Sequence, residues 1–134
     1  MTLKFHLSSG SKLELNPAPL EPALNLFHIV LNECKGANLD LTIGDDTTLM
    51  SLIMKNQNAL LNLFSSKDLQ EAILACCSKV LYNNRHFELS LFEKPENRRD
   101  LIGSLVIITM ENLRPFFPEA LTFFQPIANL FLMG

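Results

Sequence analysis

Residues 65–85 read SSKDLQEAILACCSKVLYNNR, and the architecture turns on whether this stretch is one helix. Ser65 and Asp68 stand at the S-x-x-D spacing of a capping box, in which a serine hydroxyl takes up a backbone N–H of the first turn. Leu69, Ile73, Cys76, Cys77 and Val80 follow at positions that share one helical face. The pattern predicts a helix through about Leu81. Tyr82-Asn83-Asn84-Arg85 then ends it, because consecutive asparagines tolerate left-handed backbone at little cost.

Upstream, Asp45-Asp46-Thr47-Thr48 supplies cap candidates for a helix to about Phe64 that carries Leu49, Leu52, Ile53, Leu60, Leu63 and Phe64. Leu39, Leu41 and Ile43 alternate with Asp40 and Thr42, which suits a short strand before Gly44. A further helix is expected from about Leu20 to Lys35, with Pro22 in its first turn and Gly36 as its cap. Its stripe of Leu20, Leu24, Phe27, Leu31 and Cys34 forms one face, either core or partner surface. Asn16-Pro17-Ala18-Pro19 is a stiff connector before it. At the N-terminus Leu3, Phe5 and Leu7 alternate with Lys4 and His6, and Leu13 and Leu15 flank Glu14. Joined by Ser8-Ser9-Gly10-Ser11, the two runs predict a β-hairpin whose apolar face lies on the helices.

Downstream, Phe87, Leu89 and Leu91 suggest a brief extended run, and Pro95 opens another helical segment. Leu101, Ile102, Leu105, Val106, Ile108 and Thr109 make the stretch from Glu96 to Leu113 the most apolar helix of the chain. A buried strand over Leu105 to Thr109 is the rival, and the charged start Glu96-Asn97-Arg98-Arg99-Asp100 favours the helix. Arg114-Pro115-Phe116-Phe117-Pro118 is a stop and restart. A short helix from about Pro118 to Phe124, a break near Pro126 and an apolar turn from Ile127 to Met133 complete the reading. The expected fold is mainly α: one compact domain of about five helices with a small N-terminal β-hairpin. Its parts are a hairpin over 1–15, a helical body over 20–113 and a Phe-rich segment over 115–134.

The 134 residues are 48% hydrophobic and 19% charged, with a net charge of −3 and a mean hydropathy of +0.18. Such a chain can bury a core without metal or disulfides, and its acidity argues against nucleic acid as the main partner. No run approaches the roughly 18 apolar residues of a membrane span, and the first residues do not read as a signal peptide. Three cysteines, an odd number, fit a reducing compartment, so a cytoplasmic location is expected.

Residues capable of chemistry are scattered. Adjacent Cys76 and Cys77 point about 100° apart on a helix and read as small buried hydrophobes; a thiol enzyme built on either is the alternative. His6, His28 and His86 show no metal-ligand spacing, and no glycine-rich phosphate loop is present. No cofactor is expected. Arg98-Arg99-Asp100 is either a solvated helix start or, through Arg99 or Asp100, a pair that fixes the preceding loop. The C-terminal stretch is less ordinary, because five of the ten phenylalanines fall after Arg114 beside one charge, Glu119. Phe116, Phe117, Phe123, Phe124, Ile127, Leu130 and Phe131 are therefore candidates for partner binding, with completion of the core as the equal alternative.

Several segments together resemble the tail assembly chaperones of long-tailed bacteriophages. These are the N-terminal hairpin, the Pro-rich approach to the first helix, and middle helices ending Leu81-Tyr82-Asn83. Two runs are the most telling: Phe92-Glu93-x-Pro95-x-x-Arg98-x-Asp100, and Asn112-Leu113-x-Pro115-Phe116-Phe117. The resemblance implies a non-enzymatic, virus-encoded protein of the bacterial host cytoplasm. It would coat the tape-measure protein, keep it soluble and recruit tail-tube subunits, without remaining in the virion. It also implies a longer, frameshifted form, and a homo-oligomer is expected because the C-terminal surface is too apolar to leave bare. The alternative is a structural virion protein, such as a tail-completion or head-tail connector subunit.

Overall fold

The computed structural model describes residues 2–36, 59, 62–116, 128, 129 and 132. Its backbone is a mixed α/β arrangement. Strands β1 (Leu3–His6), β2 (Lys12–Leu15), β3 (Val80–Tyr82) and β4 (Arg85–His86) form an antiparallel sheet in that order. Among the described residues three α-helices accompany it: α1 (Leu20–Gly36), α2 (Lys67–Ala75) and α3 (Leu101–Leu113). The expectation of a mainly α domain of about five helices is corrected by the second half of this sheet.

The N-terminal hairpin forms as its alternation dictates, pairing Leu3 with Leu15 and Phe5 with Leu13. Leu7 donates to the Ser11 carbonyl at 2.8 Å across the turn, and Gly10 supplies the positive φ of 95° that the turn requires. Leu13 and Leu15 are buried, while Lys12 and Glu14 form a 3.1 Å ion pair on the other face.

The segment 65–85 departs from its helical periodicity after Ala75. Cys76 donates to the Ile73 carbonyl at 2.9 Å, a tightened last turn, and Val80–Tyr82 pairs with β2 instead. Positions 76 and 80 satisfy a helical step, but 80 and 82 also satisfy a strand, with Val80 and Tyr82 buried and Leu81 half-buried between them. Pairing wins because β2 would otherwise carry an open edge beside a buried core. Asn83 and Asn84 adopt φ of 49° and 68° as expected, yet they form the two-residue turn of the β3–β4 hairpin, not a helix end. The cap of α2 also shifts by one residue. The Ser66 hydroxyl accepts from Leu69 N–H at 3.3 Å and itself donates to Glu33 of α1 at 2.7 Å.

Phe87, Leu89 and Leu91 do not form an extended run. Leu89–Glu93 and Pro95–Asp100 are two consecutive 3-10 turns that lead into α3. Every residue from Gly103 to Leu113 is buried, so the most apolar helix read from the sequence is a core helix, packed against α1 and α2. The rival strand over Leu105 to Thr109 is excluded.

The expected strand at Leu39 to Ile43 lies outside the described residues. So does most of the helix to Phe64, of which Ala59, Asn62 and Leu63 are helical. Of the C-terminal elements, Ala128 is buried and helical, and Leu132 forms an isolated antiparallel bridge with Leu7. No described helix is long and apolar enough to cross a membrane.

Candidate functional site

The two runs that carry the family resemblance have structural roles that can be followed atom by atom. In the first, Phe92 is buried against Tyr82 and Phe87, with ring centroids 5.2 and 5.5 Å apart. Pro95 starts the second 3-10 turn, where its missing N–H costs nothing. Arg98 reaches back to donate from Nε to the Phe92 carbonyl and from Nη2 to the Glu93 carbonyl, both at 3.0 Å. Asn97 Nδ2 donates to the Leu91 carbonyl at 2.9 Å. The preceding loop is thus fixed by Asn97 and Arg98, whereas the sequence suggested either a solvated helix start or a pair made by Arg99 or Asp100.

Asp100 does something else. It is buried, and its Oδ2 accepts from Tyr82 Oη at 2.6 Å and from Ser9 Oγ at 2.8 Å. Ser11 Oγ and Asn97 Oδ1 lie 3.2 and 3.4 Å from the same phenol oxygen. Burial, reinforced by the hydrogen bond to Asp100, pushes the Tyr82 hydroxyl above its ordinary value, so it remains a donor at neutral pH. One carboxylate oxygen filled by two hydroxyls joins the first hairpin, β3 and the start of α3. The arrangement is a clasp, and it offers a substrate no free group on that oxygen.

The second run closes the other end of α3. Asn112 Oδ1 accepts from Ala18 N–H and its Nδ2 donates to the Ile108 carbonyl, both at 2.8 Å, which anchors the Pro-rich connector. Leu113 is buried, and Phe116 stacks on Phe27 of α1 with centroids 5.5 Å apart and planes 2° from parallel. Phe116 is half-buried. The other candidate partner-binding residues, Phe117, Phe123, Phe124, Ile127, Leu130 and Phe131, lie outside the described residues.

Cys76 and Cys77 are buried, and burial pushes their thiols up to about 11 and about 12. Thiols held so far above neutrality carry almost no thiolate and are poor nucleophiles. Cys77 Sγ instead donates to the Ile73 carbonyl at 3.2 Å. His6, His28 and His86 are exposed and lie on three different elements, β1, α1 and β4. Among the described residues no group of three or more His, Cys, Asp or Glu is placed to hold a metal ion. A cleft of about 400 Å³ beside the β3–β4 turn is rimmed by Arg85, Glu88, Lys94 and Glu96, with charges of both signs.

Among the described residues the exposed large hydrophobics are Leu20, Leu24, Leu31 and Leu89, and three of the four lie on α1. On α1 the core takes Ala23, Leu26 and Val30. The stripe read from the sequence lies roughly a quarter-turn around the helix from these. Leu20, Leu24 and Leu31 are 66%, 37% and 45% exposed, and Phe27 is half-buried beneath Phe116. The side chain of Cys34, the last member of that stripe, lies outside the description. Periodicity found the stripe but could not say which flank the core would occupy. No family model matches the chain, no curated protein matches it, and no solved structure matches it.

Proposed function

We propose that this protein acts by binding and not by catalysis, as a phage tail assembly chaperone that holds an apolar helical client. The client is the tape-measure protein, and the setting is the cytoplasm of the bacterial host, where the bound chain also helps to recruit tail-tube subunits. The observation that carries this reading is the row of exposed leucines on α1, continuous with the Phe27–Phe116 stack. A well-packed acidic body that still presents large apolar side chains along one helix suits helix-in-groove docking of a client. Phe116 also sets the start of the Phe-rich segment at the rim of that face. The burial of both described thiols and the engagement of Asp100 in a clasp support the non-enzymatic part of the reading.

Co-expression with the tape-measure protein of the same virus tests it. The expected result is a soluble client that co-purifies with this chain, reduced by Leu24→Glu. An insoluble client with no co-purification would sink the proposal.

A further inference from the structure

The two edges of the sheet differ. One side ends in β4, with two residues, and the other in β1, with four. Along β1 the side chains of Lys4 and His6 are exposed, while Leu3, Phe5 and the following Leu7 pack against the core. An edge that is apolar on one face and presents an outer row of backbone groups is a template for a further strand.

The first turn sets the direction of those groups. Leu7 N–H donates to the Ser11 carbonyl at 2.8 Å, and the Leu7 carbonyl accepts from Gly10 N–H at 2.9 Å, so both point into the hairpin. In an antiparallel ladder alternate residues point opposite ways, which turns the backbone groups of Lys4, His6 and Ser8 outward. Leu132 pairs antiparallel with Leu7 from that outer side. The β1 groups open to that pairing are therefore the His6 carbonyl and the Ser8 N–H, which flank Leu7. The Leu132 side chain is half-buried and packs against the core beside the fully buried Leu7.

An extended residue is thus already seated on this edge, and it belongs to the C-terminal part of the same chain. Its hold is slight. β1 meets β2 through four successive residue pairs, whereas among the described residues Leu132 alone pairs with the outer side. We infer that the outer edge of β1 is a strand-acceptor site, with the chain's own segment around Leu132 as resident occupant and an extended peptide of alternating apolar residues as the ligand that replaces it. Backbone pairing at His6 and Ser8 holds the ligand, and the apolar side chain opposite Leu7 selects it. This edge is separate from the leucines of α1, so the inference is independent of the proposed client.

Fluorescence anisotropy with a labelled peptide of residues 127–134 (IANLFLMG) tests it on the full chain. In the wild type the resident segment competes at an effective concentration on the order of millimolar, so the peptide binds weakly. Leu132→Asp in the protein places a carboxylate where a half-buried leucine stood, frees the edge and is expected to raise peptide affinity at least tenfold. Adding Ser8→Pro is expected to cancel that gain by removing the outward N–H. Proline suits the position, because Ser8 is the second residue of the Leu7–Gly10 turn and neither Ser8 nor Ser9 has a positive φ, which makes the turn type I. A control peptide with Asp at its Leu132 position should not bind. Hydrogen exchange of the wild type gives a readout that needs no variant: the Ser8 amide is expected to exchange at least tenfold more slowly than in a free peptide. Equal peptide affinity for the wild type and Leu132→Asp overturns the inference, as does a double variant or a control peptide that binds undiminished. So does a Ser8 amide that exchanges at the free-peptide rate.

Discussion

Tyr82 donates to Asp100 at 2.6 Å, and this one contact ties the third strand to the residue that precedes the central helix. Both groups are buried, so removing one costs the other its shortest hydrogen bond, although Asp100 keeps Ser9 and the Tyr82 hydroxyl keeps Ser11 and Asn97 within reach. Tyr82→Phe is expected to cost about 1–3 kcal/mol in urea-induced unfolding. In a double-mutant cycle with Asp100→Ala the two losses should be less than additive, because they remove the same bond. Additive losses would show that the clasp carries no coupling.

The faces of α1 separate core from surface. Leu26 is fully buried and Leu24 is not, although two residues separate them. Leu26→Ala is expected to destabilise by about 2–5 kcal/mol, while Leu24→Ser, at a position 37% exposed, costs about 1 kcal/mol or less. Thermal melts of the two variants, compared side by side, check the orientation of the helix.

The β3–β4 turn holds two asparagines with positive φ. Asn84→Gly should leave stability equal or raise it by up to about 1 kcal/mol, and Asn84→Val should lower it by about 1–2 kcal/mol, because a β-branched residue resists left-handed backbone. Equal melting temperatures for the two variants would contradict the turn geometry.

Glu111 is buried, and desolvation raises its carboxyl above the ordinary value of 4.5, opposed by Arg114 at 3.3 Å. A raised folded-state value means that the native state holds this proton more tightly than the unfolded chain does. The resulting stability is fully present below about 4.5 and is lost as pH rises through the higher folded value. Glu111→Gln should therefore flatten the fall in stability over the interval just above 4.5. Chemical denaturation of both proteins across that interval provides the readout.

The buried thiols make a separate prediction. With Cys76 and Cys77 at about 11 and about 12, a thiol reagent at neutral pH should label them only as fast as the protein unfolds. Labelling at the rate of a free peptide would place them at the surface.

Local signals in the sequence were strong where neighbours along the chain decide the outcome. The first hairpin, the span of α1, the buried character of the helix after Asp100 and the left-handed asparagines could all be read from alternation, caps and turn chemistry. The second hairpin could not be read, because Val80 fits a helical step as well as a strand. The choice depends on β2, which lies about 65 residues earlier in the chain. Tyr82 and Asp100 show the same limit. Each is legible as a polar residue near a turn, but no periodicity predicts that a tyrosine, an aspartate and Ser9 converge on one oxygen. For α1, spacing alone established that an apolar stripe exists. Only packing decided that Ala23, Leu26 and Val30 would turn inward and leave Leu20, Leu24 and Leu31 outside, because a helix with more than one apolar stripe buries the one that fits its neighbours.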